Sequence, residues 1–197
     1  MTNANVRYNS ETDFFEIYFE NEWHNWKSAG FQKLWLYNYG NEYVDEIGGW
    51  TLGTFKSGGA VIDTTTGSAT RTATKNGDNI YVAANIPTTA ASLASATAFT
   101  TKAIDITNYS RLIIHSKNNT TKWQYIKLFN KNPQGAGLYD NYKSFNLTTT
   151  GDLYQTFDIT EYNGLTWIAI QSLGYSGDSG GSSGSPAITM YEMWLEK

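Results

Sequence analysis

The sequence predicts an all-β fold, an antiparallel β-sandwich preceded by a small N-terminal β-meander, and three observations carry that prediction. Aromatic residues make up 15% of the 197 residues, with 7 Trp and 14 Tyr, and such rings fit a pleated, half-buried sheet. Charged residues are only 16% of the chain, against roughly 25% in an ordinary soluble domain. In their place stand 25 Thr and 18 Asn, the hydroxyl and amide surface of a strand-and-turn protein. From Trp50 onward, short apolar runs recur between Gly, Asn, Asp and Ser clusters, the spacing of an antiparallel sandwich and not of a helical bundle.

The elements follow in order. In residues 6–27, Phe15, Ile17 and Phe19 alternate with Glu16, Tyr18 and Glu20, the period of a strand with one buried face. Turn-forming residues on either side, Asn9-Ser10-Glu11-Thr12-Asp13 and Glu20-Asn21-Glu22, make this a three-strand meander. In the run from Phe31 to Trp50, Phe31, Leu34 and Leu36 with Trp35, Tyr37 and Tyr39 give apolar character on both faces, which fits a strand or a short helix equally well. At Gly48-Gly49 the composition shifts from acidic and aromatic to Thr, Ser, Gly and Ala rich, which places a domain boundary there: 1–46 as meander and linker, 47–197 as the sandwich. Strands are then expected at 60–63, 69–74, 80–84, 98–105, 111–116, 123–130, 143–147, 153–158, 166–172 and 188–195. Asn76-Gly77 and Gly151-Asp152 read as hairpin turns, and the Ala-rich stretch ending at Phe99 reads as a loop running into a strand.

One pattern occurs twice. Ile104-Asp105-Ile106-Thr107-Asn108-Tyr109 and Phe157-Asp158-Ile159-Thr160-Glu161-Tyr162 share apolar-Asp-Ile-Thr-polar-Tyr, each ahead of an apolar strand. Asp and Thr oxygens cap a tight turn while Ile and Tyr plug the end of a sandwich, so the two copies are expected at corresponding corners of the two sheets.

Composition also excludes partners and chemistry. A net charge of −4 with no basic run offers nothing to nucleic acid. There is no apolar stretch of the about 20 residues that a bilayer span needs, and the first ten residues lack the basic and apolar regions of a signal peptide. Without Cys there is no disulfide framework and no cysteine metal site, and with only His24 and His115 a zinc enzyme is not expected. Gly177-Asp178-Ser179-Gly180-Gly181 matches the nucleophile motif of trypsin-like proteases, but it lies in a Gly/Ser tract that produces the match by composition. Glu42, Asp45 and Glu46, and Glu192 and Glu196, are carboxylate groups whose spacing does not separate an acid from a base. No catalytic residue and no metal ligand is therefore assigned, and a structural Ca²⁺ is the one cofactor that the loop oxygens leave open.

The aromatics carry more. Sugars present C–H faces to Trp and Tyr, while their hydroxyls bond to amides and carboxylates. Period-2 alternation puts Trp123, Tyr125, Lys127 and Phe129 on one face of a strand and Gln124, Ile126 and Leu128 on the other. The next loop offers Tyr139, Asp140, Asn141 and Tyr142. These two groups, Trp123 and Tyr125 with Tyr139 to Tyr142, are the candidate carbohydrate platform. Trp50, Trp167 and Trp194 have apolar neighbours and read as core.

Two stretches carry a resemblance. Val6 to Trp26, with Arg7-Tyr8-Asn9, a turn, an aromatic-Glu-apolar-Tyr strand and a closing Trp-x-x-Trp, resembles the short β-meander of phage tail-fibre and tail-tip proteins. The stretch from Leu34 to Trp50 resembles the linker that follows it in phage and prophage tail proteins. From Ile47 on, the two Asp-Ile-Thr-x-Tyr corners and the closing Met190-Tyr191-Glu192-Met193-Trp194-Leu195 strand are similar to galactose-binding-like jelly rolls and carbohydrate-binding modules. The resemblance implies a virion tail or baseplate component, commonly trimeric, whose jelly roll binds bacterial surface carbohydrate while the meander contacts other tail proteins. With 46 residues ahead of the jelly roll there is no room for a long fibre shaft, so a separate tail accessory protein or a fragment is expected. Two rivals stand beside this reading: a purely structural tail module, and a glycan depolymerase using a carboxylate such as Glu192 or Asp140.

Overall fold

The computed structural model describes residues 5–9, 14–19, 22–26, 33–55, 70–85, 93–121, 123–133, 143–175 and 185–197. Within them lie three antiparallel sheets. The first in sequence is the expected meander, β1 (Asn5–Asn9), β2 (Phe14–Phe19) and β3 (Glu22–Trp26), in the order β1-β2-β3. In its register Arg7 lies opposite Glu16; the guanidinium pairs with the Glu16 carboxylate and lies 4.0 Å over the Trp23 ring. This is how a carboxylate comes to be buried in so small a sheet.

The other two sheets have six strands each and form the sandwich. One, hereafter the first sheet, runs β13 (Gly151–Asp158), β10 (Arg111–Asn118), β15 (Ala187–Glu196), β7 (Asn79–Asn85), β6 (Thr70–Asn76), with β4 (Lys33–Asn38) also paired to β15. The second runs β12 (Lys143–Asn146), β11 (Gln124–Phe129), β14 (Leu165–Tyr175), β8 (Leu93–Thr100), β5 (Trp50–Phe55), with β9 (Ile104–Asp105) paired to β14. Their facing side chains alternate with outward ones along each strand. Ile80, Val82, Leu112, Ile114, Ile188 and Met190 from one sheet meet Ala96, Ala98, Ile126, Leu128, Ile168 and Ile170 from the other, all fully buried. A bulge in β15 opposite His115 and Ser116 leaves Tyr191 out of the ladder, and this lets both Met190 and Met193 turn into the core.

The sandwich takes in residues that the composition shift at Gly48-Gly49 places outside it. β4 pairs with β15 from Lys33 opposite Glu196 to Asn38 opposite Glu192, and Leu36, Tyr37 and Ile47 are core residues. The ambiguous segment is thus a strand, followed by a single helical turn, α1 (Val44–Ile47). Composition follows loops and surface, whereas membership of a sheet is decided by the hydrogen-bond ladder and the core. Two smaller expectations change for related reasons. The Ala-rich stretch contributes β8, a central strand between β14 and β5, because Ala96 and Ala98 fill the space where the sheets approach and packing overrides propensity. Gly151 and Asp152 open β13 opposite Asn118 and Lys117 instead of forming a turn. Asn76-Gly77 behaves as expected: Asn76 faces Asn79 across a two-residue turn in which Gly77 has φ 63°. The strand expected at 60–63 and the Gly177–Gly181 motif fall outside the described residues.

The repeated Asp-Ile-Thr corners are built alike. Asp105 Oδ1 accepts the Thr107 N–H at 3.0 Å and hydroxyl at 2.6 Å; Asp158 Oδ1 accepts the same pair from Thr160 at 2.9 and 2.5 Å. These bonds hold both carboxyls below the ordinary Asp range. Ile106 and Ile159 are fully buried plugs. The corners also bond to each other's flanks: Ile106 N–H to Gly164 O at 3.1 Å, Ile159 N–H to Ser110 O at 2.9 Å, and Gly164 N–H to the Thr107 hydroxyl at 3.0 Å. No helix among the described residues is long and apolar enough to cross a membrane.

Candidate functional site

Register fixes which side chains share the outer face of the second sheet. Tyr125 on β11 lies between Asn146 on β12 and Gln171 on β14, and Gln171 is followed by Thr97 on β8 and Gly53 on β5. The next row reads Ser144, Lys127, Ala169, Phe99 and Thr51, and beyond it Phe129 sits opposite Trp167. The alternation expected from the sequence is therefore correct: Ile126 and Leu128 enter the main core, while Tyr125, Lys127 and Phe129 point outward.

That face is graded from an open edge to a closed centre. Asn146 and Ser144 are exposed and Tyr125 is half-buried. Toward the centre, Lys127 is 7% exposed, Gln171 1% and Thr97 0%, although all three point away from the core. Phe99, Phe129 and Ala169 form a second small apolar cluster there, with Trp167 packed against it. Burial pushes the Lys127 ammonium down to about 8 and the Tyr125 phenol up. The Lys127 Nζ lies 5.4 Å from the centre of the Tyr125 ring, within cation–π range.

The polar atoms of this face are incompletely matched. The Gln171 side-chain N–H donates to Ser95 Oγ at 2.6 Å, but Gln171 Oε1, Thr97 Oγ1 and Trp167 Nε1 are buried without a hydrogen-bond partner. An unpaired buried group costs about 1–3 kcal/mol. Three on one sheet face leave hydrogen-bonding capacity at its closed centre that ordered water would complete, since water both donates and accepts.

Of the residues expected to bind, Tyr125 is on this face. Trp123 precedes it by two, at the mouth of β11, with φ 62°, a left-handed conformation that is rare for a bulky residue; its carbonyl accepts the Leu173 N–H at 2.8 Å. Tyr139, Asp140, Asn141 and Tyr142 lie outside the described residues. Thr97 and Gln171 have no sequence signature, because in one dimension they are ordinary strand residues. Trp167 and Trp194, expected in the core, sit on the outer faces of the two sheets: Trp167 opposite Phe129, and Trp194 opposite Trp35 with the rings 5.0 Å apart. Trp50 is core as expected, its indole N–H donating to Leu36 O at 2.8 Å. Glu42 is an anchor: its Oε2 accepts the Trp50 N–H at 2.9 Å and pairs with Lys75 at 2.6 Å. Among the described residues no group of three or more His, Asp or Glu is placed to hold a metal ion.

No family model and no curated protein matches the sequence. Among solved structures, the chain is similar to a family 11 carbohydrate-binding module from Clostridium thermocellum in complex with a β-1,3-1,4-mixed-linked tetrasaccharide, at 10% identity and a TM-score of 0.48, covering 86% of this chain and 96% of that one. It is also similar to TmCBM27, a carbohydrate-binding module described for specific mannan recognition, at 11% identity and a TM-score of 0.42, covering 84% and 98%. A third likeness is to the enzymatically active domain of tailspike protein 4 of bacteriophage CBA120, at 16% identity and a TM-score of 0.39, covering 81% of this chain and 21% of that one.

Proposed function

We propose that the protein is a carbohydrate-binding module that holds a glycan on the outer face of the second sheet without breaking it. The observation that carries this is the open edge of that face, where the half-buried Tyr125 ring lies in register with the exposed Asn146, and the exposed Ser144 stands in the next row. Tyr125 offers its face to a pyranose ring, and Asn146 and Ser144 offer amide and hydroxyl contacts at the open edge. Among the described residues of the two rows around Tyr125 and Lys127 there is no Asp or Glu, and Asp105, opposite Leu165 at the end of this sheet, is taken up by Thr107, whereas hydrolysis of a glycosidic bond ordinarily needs two carboxyl groups. That supports binding over depolymerisation.

A place in a phage tail, contact with other tail proteins and a homotrimeric state are finer parts of the same proposal. The resemblance of the N-terminal segment is what supports them, and the mass of the purified protein in solution tests the trimer.

Affinity electrophoresis and calorimetry against bacterial wall and capsular polysaccharides, mixed-linked β-glucan and mannan test the binding. Tyr125→Ala is expected to weaken the best ligand about tenfold, the worth of one stacked ring. Asn146→Ala is more diagnostic, because it removes an exposed amide at the open edge. It is expected to leave thermal stability unchanged while weakening binding. If Asn146→Ala lowered stability and left affinity intact, the amide would be serving the fold and this face would lose its claim.

A further inference from the structure

The outer face of the first sheet carries a second cluster, centred on His115. The Tyr154 ring stacks on the imidazole at 4.3 Å and 19°. His115 Nε2 lies 2.7 Å from Asp152 Oδ1 and Nδ1 lies 3.1 Å from Glu192 Oε2. The Tyr154 hydroxyl donates to the same Glu192 oxygen at 2.6 Å. On the other side, Tyr39 approaches His115 edge-on at 6.3 Å and stacks over Tyr191 at 6.1 Å. The rings at the two ends are open: Tyr39 is 51% exposed and Tyr154 56%.

The backbone at Tyr39 is an independent pointer. Asn38 and Asn41 exchange backbone hydrogen bonds of 3.0 and 2.9 Å, closing a two-residue turn with φ 40° at Tyr39 and 93° at Gly40. Both central residues have positive φ, as in a type I′ turn, where Asn, Asp or Gly is the favoured first residue. A bulky ring there is a costly choice, and strain of this kind collects at binding sites. The turn is pinned by the Tyr39 N–H donating to Tyr191 O at 2.9 Å, which fixes the ring beside His115.

We propose that this face is a second glycan platform, for a neutral, hydroxyl-rich chain whose C–H faces lie on Tyr39 and Tyr154 and whose hydroxyls donate to Glu192 and Asp152. The proposal rests on the reading of the protein as a glycan-binding module. His115 and Tyr154 orient Glu192 Oε2, and His115 orients Asp152 Oδ1; Glu192 Oε1 and Asp152 Oδ2 take no hydrogen bond among the described residues and remain for the guest. Paired carboxylates receive hydroxyls and repel uronate or phosphate groups, and Lys117, opposite Asp152 in the ladder, is the cation of that row. The two platforms lie on opposite sides of the core, so the module is bivalent toward a polymer and gains avidity from it.

The test is calorimetry of the full chain with a mixed-linked β-glucan tetrasaccharide and with manno-oligosaccharides, beside affinity electrophoresis in the corresponding polymers and in bacterial wall polysaccharides. Tyr39→Asn is the key variant, because Asn suits the turn while removing the ring. With its melting temperature unchanged, Tyr39→Asn is expected to abolish one of two binding events and to weaken polymer retention about tenfold. Tyr125→Ala is expected to weaken the other event about tenfold. One binding event in the wild type, weakened in Tyr125→Ala and intact in Tyr39→Asn, would overturn the second platform and leave the first. The reverse pattern would overturn the first and keep the second. Absence of binding to every one of these carbohydrates would overturn both.

Discussion

Lys127 shows how one position joins stability to the site. Its ammonium is on a sheet face yet buried, and burial brings it from 10.5 to about 8. Between about pH 8 and 10 the unfolded chain keeps a proton that the folded chain has released, so the unfolded state binds more protons and stability rises with pH. The difference corresponds to roughly 3 kcal/mol if followed over its whole range. Two tyrosines act in the opposite sense above pH 10. Burial pushes the Tyr37 phenol up to about 12, and the hydrogen bond to Glu192 does the same for Tyr154, so the folded state keeps protons that unfolded tyrosines, at 10.0, release. Urea unfolding from pH 7 to 10 is therefore expected to show stability rising above pH 8 in the wild type, and a flat profile in Lys127→Met. A flat wild-type profile would mean that Lys127 is solvated in the native protein. Only part of this was legible in the sequence. Alternation along Trp123 to Asn130 places Lys127 and Tyr125 outward, but that Gln171 and Thr97 are their neighbours depends on the register of three strands. Register is set by the whole sheet.

At the scale of elements the repeated corners were legible because their chemistry is local. Asp reaches the backbone N–H two residues on, and Thr adds its hydroxyl to the same oxygen; neither needs a distant partner. The strands were legible wherever Val, Ile or aromatic residues alternate, as in β10 and β14. They were misread where composition imitates another state: β8 is rich in Ala and Thr, and β13 begins with a Gly-Asp pair that also suits a turn. β4 stayed ambiguous because it is apolar on both faces, Leu36 and Tyr37 filling the core while Trp35 stacks on Tyr43 and Trp194 outside it. The corners make a quantitative prediction. Ile106→Ala and Ile159→Ala should each cost about 2–5 kcal/mol, as buried large-to-small substitutions do. Because hydrogen bonds tie each corner to the other's flank, the double variant should depart from additivity by at least about 0.5 kcal/mol. Chemical denaturation of the four proteins measures this, and strict additivity would show that the two ends of the sandwich are independent.

For the whole molecule, the decisive fact is that the sandwich begins before the compositional boundary is reached. β4 lies ahead of Gly48-Gly49 yet is hydrogen-bonded along β15 from Lys33 to Asn38, and it helps to hold the aromatic face that includes Trp194, Tyr191 and Tyr39. Lys33 makes this link twice, its Nζ lying 5.3 Å from the Trp35 ring and 4.8 Å from the Trp194 ring, while Arg111 pairs with Glu196 beside them at 3.0 Å. A truncation at the boundary suggested by composition, removing residues 1–46, would strip a strand from β15, delete the fully buried Leu36 and nearly buried Tyr37, and leave the Trp50 indole N–H without its acceptor on Leu36. Two buried large side chains are together worth several kcal/mol, a large share of the about 5–15 kcal/mol that holds a domain folded. Removing residues 1–30 instead leaves β4, α1 and every ladder of the sandwich in place. The shorter truncation is expected to melt cooperatively within a few degrees of the full chain and to keep both glycan-binding events, while the longer one aggregates or loses its cooperative transition. If the chain lacking 1–46 folded and bound as the full chain does, β4 would be an accessory to the sandwich, and the platform at Tyr39, which that truncation removes, would be overturned.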